Sequence, residues 1–230
     1  MESIYTSGQY SDTHPTYHVE DSLWKSRQIL RMLVRHQLTP QTVCEVGCGA
    51  GEILRQLQGQ MAAPTVFHGF DISPQAIALG QERTNARLRY FCGDFLSAQT
   101  TKYDLLLCMD VIEHVDDYMG FLGGLCPRAT YKIFHIPLDL SAQTVFRGKP
   151  IARQRSVHGH IHYFTKDTAL ATLRHTDYEI VDWIYTGSGV EKAYGFANWL
   201  AKYPRILLKR LTPDLSVRVL GGYDLLVLAK

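Results

Sequence analysis

Short apolar runs alternate with longer mixed segments along the chain, and the two spacings predict alternating strands and helices. The predicted strands occupy residues 42–46, 65–71, 88–92, 103–109, 131–136, 178–185 and 223–229. The run from Tyr103 to Met109 is apolar almost throughout, as is typical of a strand buried on both faces of a sheet. Strands of this kind, separated by helices, predict an α/β fold around a mostly parallel sheet.

Helical spacing fills the intervals between these strands. The first helix is predicted to begin at Asp21 or Ser22, which can cap it, and to end before Pro40. Its apolar positions are predicted to share one side: Leu23, Trp24, Ile29, Leu30, Leu33 and Val34. Two further helices are predicted over residues 52–60 and 166–175. Another is predicted to start at residue 73, and another to end near residue 125. Residues 1–16 are polar and aromatic, so residues 1–40 are predicted to form an arm or lid followed by a helix.

The first predicted strand runs into a turn with a glycine at every second position: Gly47, Gly49 and Gly51. Glycine permits positive φ and leaves no Cβ in the way of a ligand, and the following helix directs unpaired N–H groups at the turn. The dinucleotide-binding fingerprint would place a glycine where Glu52 stands. Together with Glu45, that carboxylate favours a cationic, nucleotide-like ligand, and S-adenosylmethionine (SAM) fits this description. A turn with no ligand is the alternative for three glycines taken alone.

Acidic residues follow the next two predicted strands. Asp71 lies 20 positions after Gly51, at a strand end, where its carboxylate could accept hydrogen bonds from both ribose hydroxyls. Capping a helix that starts at Ser73-Pro74 is the competing role, and the strand-end position favours the ribose. Asp94 and Phe95 follow the third strand, where a carboxylate and a ring could meet an adenine edge. The alternative for Asp94 is an ordinary turn residue.

These features, in this order and spacing, closely resemble the class I SAM-dependent methyltransferases of the ubiquinone-biosynthesis-like kind, type 11 or 12. The resemblance covers roughly residues 20–185 and includes Gly93-Asp94-Phe95 and Ile112-Glu113-His114-Val115. It implies a Rossmann-like sheet of seven strands with helices on both faces, whose last strand is antiparallel and lies beside the sixth. It also implies that Glu45, Gly47, Gly49 and Gly51 border the methionine part of SAM and that Asp71 binds the ribose hydroxyls. By the same resemblance, Ile72, Asp94 and Phe95 contact the adenine. Met109 and Asp110 line the path to the methyl group.

Methyl transfer to an acceptor that carries a proton needs a base, and histidine has a suitable pKa. The candidate bases are His114, His135, His158, His160 and His162. A single histidine more often has a packing or surface role, and proximity to strand ends places His114 and His135 ahead of the others. His160 is kept as a third catalytic candidate.

A metal centre is the alternative to a simple base. Asp110, Glu113 and His114 would share one turn, and His160 precedes Phe164 much as a ligand histidine does in the small-RNA 2′-O-methyltransferases, which the segment also resembles. Two carboxylates and two imidazoles would suit a divalent cation that acidifies a hydroxyl. Asp110 departs from the glutamate of that family, and SAM chemistry itself requires no metal, so the sequence favours metal-free catalysis.

Two segments interrupt the alternation, at 139–164 and 187–215, and we expect them to form a substrate lid on a single domain that spans residues 1–230. The first is basic, with Arg147, Lys149, Arg153 and Arg155, which favours an anionic small-molecule acceptor, although a solvated loop is the simpler explanation. The chain is 230 residues long with a net charge of +2, too small to indicate nucleic acid or membrane binding. The five cysteines include no Cys-x-x-Cys pair, so they are predicted to be buried thiols in the core. The sequence shows no leader and no membrane span, and we therefore expect a reduced, cytoplasmic protein.

The expected function is therefore methyl transfer from SAM to an oxygen or nitrogen of a small molecule. The rivals are a metal-dependent RNA 2′-O-methyltransferase and a SAM-binding module without turnover, and a homodimer is left open. One scaffold of this kind serves many acceptors, so the acceptor itself is not predicted.

Overall fold

Seven strands form one sheet in the computed structural model, which describes residues 16–17, 19–62, 64–98, 101–187 and 212–230. The strands are β1 Thr42–Val46, β2 Val66–Asp71, β3 Leu88–Cys92, β4 Tyr103–Met109, β5 Ala129–Pro137, β6 Ile180–Thr186 and β7 Asp224–Ala229. The α-helices of the described ranges are α1 Val19–Arg35, α2 Glu52–Gln58, α3 Pro74–Gln81, α4 Phe95–Ala98, α5 Tyr118–Leu125, α6 Ala142–Arg147, α7 Lys149–Arg153, α8 Lys166–His175 and α9 Pro213–Leu220. Each predicted strand is present, with ends that move by at most two residues.

The strand order across the sheet is β3-β2-β1-β4-β5-β7-β6. Neighbours from β3 to β5 are parallel, whereas β7 is antiparallel to both β5 and β6. The predicted seven-stranded, mostly parallel sheet with an antiparallel last strand beside the sixth is therefore confirmed. The order reverses between β1 and β4, and such a point opens a crevice at the carboxyl ends of the strands.

Strand β4 shows why the sheet is buried on both faces. Leu105 and Leu107 contact a core layer that includes α1 and α2, whereas Leu106 and Cys108 contact the opposite layer, which includes α5 and α8. Alternate residues of a strand point to opposite faces, so a strand with helices on both sides must be apolar at every inward position. The helices on both faces, predicted from the resemblance, are confirmed.

Helix α1 departs from its predicted face and start. It begins at Val19 rather than at Asp21 or Ser22. Its buried positions include Ile29, Met32 and Leu33, whereas Leu23 is 42% exposed and Val34 is 76% exposed. The predicted apolar face was therefore wrong at Leu23 and Val34. An α-helix has 3.6 residues per turn, so when positions 29, 32 and 33 face the sheet, positions 23 and 34 point away from it.

The interrupting segment 139–164 contains α6, α7 and a π-helix at Gln154–His158. Most of the second predicted insertion, 188–211, and most of the N-terminal arm, 1–15, lie outside the described residues, so the lid remains a prediction. Cys44, Cys48 and Cys108 are buried as expected, but Cys92 is exposed because it ends the outermost strand, β3. Within the described ranges, no helix combines the length and the apolar character that a membrane span requires.

Candidate active site

A cavity of about 520 Å³ opens at the carboxyl ends of β1, β2, β4 and β5, where the strand order reverses. Residues from α1 and from the segment after α7 complete its wall. Its volume is within the usual range for small-molecule sites. The described lining contains seven carboxylates: Asp21, Glu45, Glu52, Asp71, Asp110, Glu113 and Asp224. Lys25 is the only lysine or arginine of that described lining, so the cavity favours cationic ligands.

The glycine turn after β1 forms one wall. Gly47, Gly49 and Gly51 all have positive φ, at 73°, 53° and 76°. A Cβ at Gly47 would lie 2.5 Å from Val111, and a Cβ at Gly51 would lie 2.1 Å from Tyr90, so packing alone excludes side chains there. A Cβ at Gly49 would make only an ordinary 3.5 Å contact with Tyr17. Gly49 is therefore the position of the turn where a small side chain would fit the protein itself.

Glu45, at the fourth position of β1, is 1% exposed, and its Oε2 atom has no hydrogen-bond partner in the described part of the chain. Burial raises the pKa of Glu45 to about 8, against the opposing effect of the Lys25 ammonium. A buried carboxylate oxygen without a donor is costly, and a bound ammonium group would supply one. The residue thus fits the amino group of SAM.

Asp71 closes the same wall from β2. Its Oδ2 atom accepts a hydrogen bond from the Gly49 N–H at 2.8 Å, and its Oδ1 atom accepts one from the Ser73 N–H at 2.9 Å. The cap of α3 is the Ser73 side chain, which accepts from Ala76 N–H, rather than Asp71 itself. Each carboxylate oxygen has two lone pairs, so Asp71 can hold the turn and still accept two hydroxyl protons.

Glu52 lines the cavity, but its charge has partners. Arg55 and Arg83 both donate to its carboxylate, at 2.6 and 3.0 Å, as does Gln56 at 2.7 Å. Partial burial opposes ionisation, but these donors outweigh it and lower the pKa of Glu52 to about 2. The sequence argument that Glu52 draws a cationic ligand is therefore weakened, because two arginines already balance that charge.

The residues predicted to meet the adenine divide into two groups. Ile72, which is 43% exposed, lines the cavity. Met109, which was predicted to line the path to the methyl group, lines it as well. Asp94 and Phe95 are outside the described lining: Asp94 accepts from Leu96 N–H and the Ser97 hydroxyl at the start of α4, and Phe95 is buried against Phe70. The contact of Asp94 and Phe95 with the adenine stays a prediction.

Asp110 is the centre of a charged network at the end of β4. Its carboxylate contacts the Lys25 ammonium at 2.6 Å and His135 Nδ1 at 2.5 Å, and its φ of 56° is unusual for a residue other than glycine. Burial would raise the Asp110 pKa, but His135 and Lys25 outweigh it and hold the pKa well below its usual range. Burial would likewise lower the His135 pKa, but Asp110 raises it. His135 also bonds Thr186 through Nε2 at 3.0 Å, so both of its nitrogens have partners.

Glu113 and His114 lie in a short 3₁₀ turn, Ile112–His114, that follows β4. Glu113 is 0% exposed, and neither of its carboxylate oxygens has a hydrogen-bond partner among the described residues. Burial raises the Glu113 pKa well above its ordinary value, with Asp110 adding to the effect. Burial lowers the pKa of His114 to about 4, so this imidazole is neutral at pH 7.

His160 reaches the same place from the segment after the π-helix. The Glu113 carbonyl accepts hydrogen bonds from Ile161 N–H and His162 N–H, at 2.8 and 3.1 Å, which ties this segment to the turn. The rings of His114 and His160 meet edge to face at 5.0 Å. His160 Nδ1 bonds the Asp139 carboxylate at 2.7 Å. The predicted candidates His114 and His160 are thus brought together, and His135 lies apart with Asp110.

Sequence reasoning missed Lys25 and Asp139. Lys25 is on α1, a helix that precedes the sheet, and no sequence motif indicated that its side chain would reach the strand ends. Asp139 lies two residues beyond Pro137 at the end of β5, and its position just past a strand end was the available signal. His158 lines the cavity as well, whereas His162 bonds the Val115 carbonyl and packs on Tyr118.

A sheet of this order, with a glycine turn and an acidic strand end at its switch point, is a Rossmann-like fold that the chain shares with a solved methyltransferase. Comparison with known families agrees, because the model of the methyltransferase domain family matches residues 20–182. The chain belongs to that family. The resemblance stated from the sequence is therefore confirmed.

The chain is similar to the following three proteins, among others. The mitochondrial ubiquinone biosynthesis O-methyltransferase of Schizosaccharomyces pombe is 31% identical over 101 residues, 41% of this chain and 36% of that protein. The ubiquinone biosynthesis O-methyltransferase of Leptothrix cholodnii is 33% identical over 82 residues, 33% of this chain and 34% of that protein. The chain thus aligns with about a third of the length of these relatives. Magnesium protoporphyrin IX methyltransferase from Synechocystis PCC 6803, solved with bound SAH, shares the fold at a TM-score of 0.61 and 16% identity, over 90% of this chain and 82% of that one.

Proposed function

We propose that this chain transfers the methyl group of SAM to the oxygen of a hydroxyl-bearing small molecule. One observation carries the proposal: a single cavity is lined both by the glycine turn with Glu45 and Asp71 and by the imidazoles of His114, His158 and His160. The first group suits the cofactor, and the second suits an acceptor that must lose a proton.

On the cofactor side, the orphaned Oε2 atom of Glu45 receives the ammonium of SAM and Asp71 receives the ribose hydroxyls. Gly49 lets the backbone approach the methionine part, Ile72 contacts the adenine, and Met109 lines the path to the methyl group. SAM supplies an electrophilic methyl group on a sulfonium, and the chain supplies alignment and a pocket that excludes water. Asp94 and Phe95 are outside the described cavity lining, and their contact with the adenine stays a prediction.

On the acceptor side, His114 and His160 contact the hydroxyl group. His135 acts as a positioning residue: both of its ring nitrogens have hydrogen-bond partners, Asp110 and Thr186, so neither is left to take a proton from the acceptor. The curated relatives are named as O-methyltransferases, which favours oxygen over nitrogen. Arg147, Lys149, Arg153 and Arg155 are exposed and outside the described cavity lining, so we propose an uncharged acceptor.

Turnover with isotopically labelled SAM tests the proposal. The purified chain is incubated with a phenol, a primary amine and a short RNA, and each product is identified by mass spectrometry. We expect a methyl ether from the phenol and no product from the amine or the RNA. Methylation of the amine alone contradicts oxygen transfer, methylation of the RNA favours the nucleic-acid rival, and SAM binding without any product favours a binding module.

A further inference from the structure

Tyr17 lines the cavity from the segment that precedes α1. Its side chain extends between two parts of the predicted cofactor wall. At one end, the Tyr17 Cβ atom lies 3.5 Å from the position that a Cβ at Gly49 would take. At the other end, the Tyr17 hydroxyl lies 3.0 Å from the Ser73 hydroxyl oxygen, a hydrogen-bond distance. The side chain therefore bridges the glycine turn after β1 and the start of α3.

The Asp71 carboxylate is held between the same two residues. Asp71 Oδ2 accepts from the Gly49 N–H at 2.8 Å, and Asp71 Oδ1 accepts from the Ser73 N–H at 2.9 Å. A phenol ring that reaches from one of these residues to the other passes alongside the carboxylate. Tyr17 and Asp71 both line the cavity, so a ribose bound at Asp71 lies next to the Tyr17 ring.

The backbone of Tyr17 supplies an independent observation. Its φ is 47°, in the left-handed region that residues other than glycine adopt rarely and at a cost in free energy. Among the described residues, four that are not glycine have positive φ, and two of these, Tyr17 and Asp110, line the cavity. Strain of this kind concentrates at active sites and ligand clamps, because the surrounding contacts must maintain it.

The chain that follows Tyr17 is attached to the rest of the fold. Val19 N–H donates to the Thr16 carbonyl at 3.2 Å, which closes a turn around Tyr17, and α1 begins at Val19. Further along α1, Lys25 contacts Asp110 at 2.6 Å at the end of β4. The Tyr17 ring is thus placed by α1 on one side and by its own hydroxyl contact on the other.

We propose that Tyr17 covers the adenosine part of the bound cofactor and limits the rate at which the cofactor leaves. The inference rests on the proposed function, which places the ribose at Asp71. The ring packs on the sugar and excludes water from the hydrogen bonds between the ribose and Asp71, and the contact with Ser73 keeps the ring in place. The cofactor leaves when that contact opens. Tyr17 is a cofactor-binding residue and takes no part in bond making.

Dissociation of S-adenosylhomocysteine from the full chain measures this cover. Labelled S-adenosylhomocysteine is bound without acceptor, an excess of the unlabelled compound is added, and the loss of label is followed. Tyr17→Phe keeps the ring but loses the contact with Ser73, so it should release the compound about two- to tenfold faster, the effect of one net hydrogen bond. Tyr17→Gly also removes the ring, so release should be faster by about tenfold or more.

Two precautions separate the cover from general damage to the fold. Glycine adopts a φ of 47° without strain, so faster release from Tyr17→Gly is not caused by a strained backbone, and thermal unfolding checks that each variant is folded. Tyr163→Phe is the matched control for the hydroxyl. Tyr163 donates to the His160 carbonyl at 3.0 Å and is outside the described cavity lining, so its removal should leave the release rate unchanged.

5′-Methylthioadenosine, which lacks the amino-acid part of the cofactor, locates the contact. Tyr17→Gly should weaken the binding of this compound and of S-adenosylhomocysteine by similar factors, because the ring contacts the part that they share. Glu45→Gln should weaken S-adenosylhomocysteine alone, because Glu45 is the proposed partner of the amino group.

An unchanged or slower release rate in Tyr17→Gly overturns this inference and leaves the proposed function intact. A loss of affinity in Tyr17→Gly that is confined to S-adenosylhomocysteine places the ring at the amino-acid part and overturns its assignment to the adenosine. Failure of the wild-type chain to bind either compound overturns the proposed function and this inference together.

Discussion

Asp110 shows how one residue organises charge at the site. It follows β4 with a positive φ, and this backbone turn directs its carboxylate to Lys25 on one side and His135 on the other. The strand-end position of Asp110 was predictable from the sequence, but its partners were not. Lys25 comes from a helix before the sheet and His135 from the next strand, so only the assembled fold brings them together.

The Asp110–His135 pair predicts a stability that falls at both ends of the pH range. The Asp110 pKa is lowered by folding, so its contribution is present above about pH 4, the unfolded value, and is lost as the pH falls further. The His135 pKa is raised, so its contribution is present below about pH 6.5 and is lost as the pH rises through the folded-state value. Urea unfolding from pH 3 to 9 measures both limbs.

His135→Gln separates the two groups. The substitution should remove the decline above about pH 6.5 and reduce the acid decline without abolishing it, because Lys25 still lowers the Asp110 pKa and Glu52, with its pKa of about 2, also contributes. An alkaline decline of unchanged size in this variant would show that His135 does not cause it.

Asp71→Ala should weaken SAM binding by tenfold or more, about 1.4 kcal/mol, because two ribose hydroxyls lose an ionised acceptor. Calorimetry measures the change. Asp104→Ala is a matched control: Asp104 also accepts two backbone N–H groups, from Gln41 and Thr42, but lies outside the cavity lining. It should cost stability without changing affinity, and an equal loss of affinity in both variants would remove the ribose role.

At the scale of elements, the pattern of apolar positions was enough for the strands, because central strands such as β1 and β4 are buried on both faces and leave little freedom of register. It was less informative for α1, whose contact face depends on how it packs on the sheet. The glycine turn was recognisable from spacing. The different reasons for its glycines were not recognisable: Val111 and Tyr90 leave no room for a Cβ at Gly47 and Gly51, whereas a Cβ at Gly49 would make only an ordinary contact with Tyr17.

Gly49→Val should abolish SAM binding while the chain remains folded. The φ of 53° costs a β-branched residue about 1–2 kcal/mol, and its side chain would enter the cavity. Gly123→Ala serves as the control, since Gly123 is in α5 and a Cβ there meets nothing within 4 Å. The control should bind SAM normally and be slightly more stable, by about 0.5–1 kcal/mol. Normal SAM binding by a folded Gly49→Val protein would contradict the cofactor placement.

For the molecule as a whole, the sheet order places four strand ends and the segment after α7 around one cavity. The sequence grouped the residues of the predicted cofactor wall, because they are adjacent to the glycine turn or follow the next strand. It grouped Glu113, His114 and His160 only through a resemblance. The support of His114 by the carbonyl of Gly159, 45 positions further along the chain, became visible only after folding. A buried carboxylate without a partner is visible only after folding.

The central claim is that this cavity binds SAM, and calorimetric titration of the wild-type chain tests it most directly. S-adenosylhomocysteine should bind at one site with a micromolar dissociation constant, roughly −8 kcal/mol, and NADH should give no heat of binding. The acidic lining predicts this preference, as does the lack of a glycine at position 52, where the dinucleotide fingerprint requires one. Binding of NADH, with no binding of SAM or S-adenosylhomocysteine, would contradict the account of the glycine turn and of the function that follows from it.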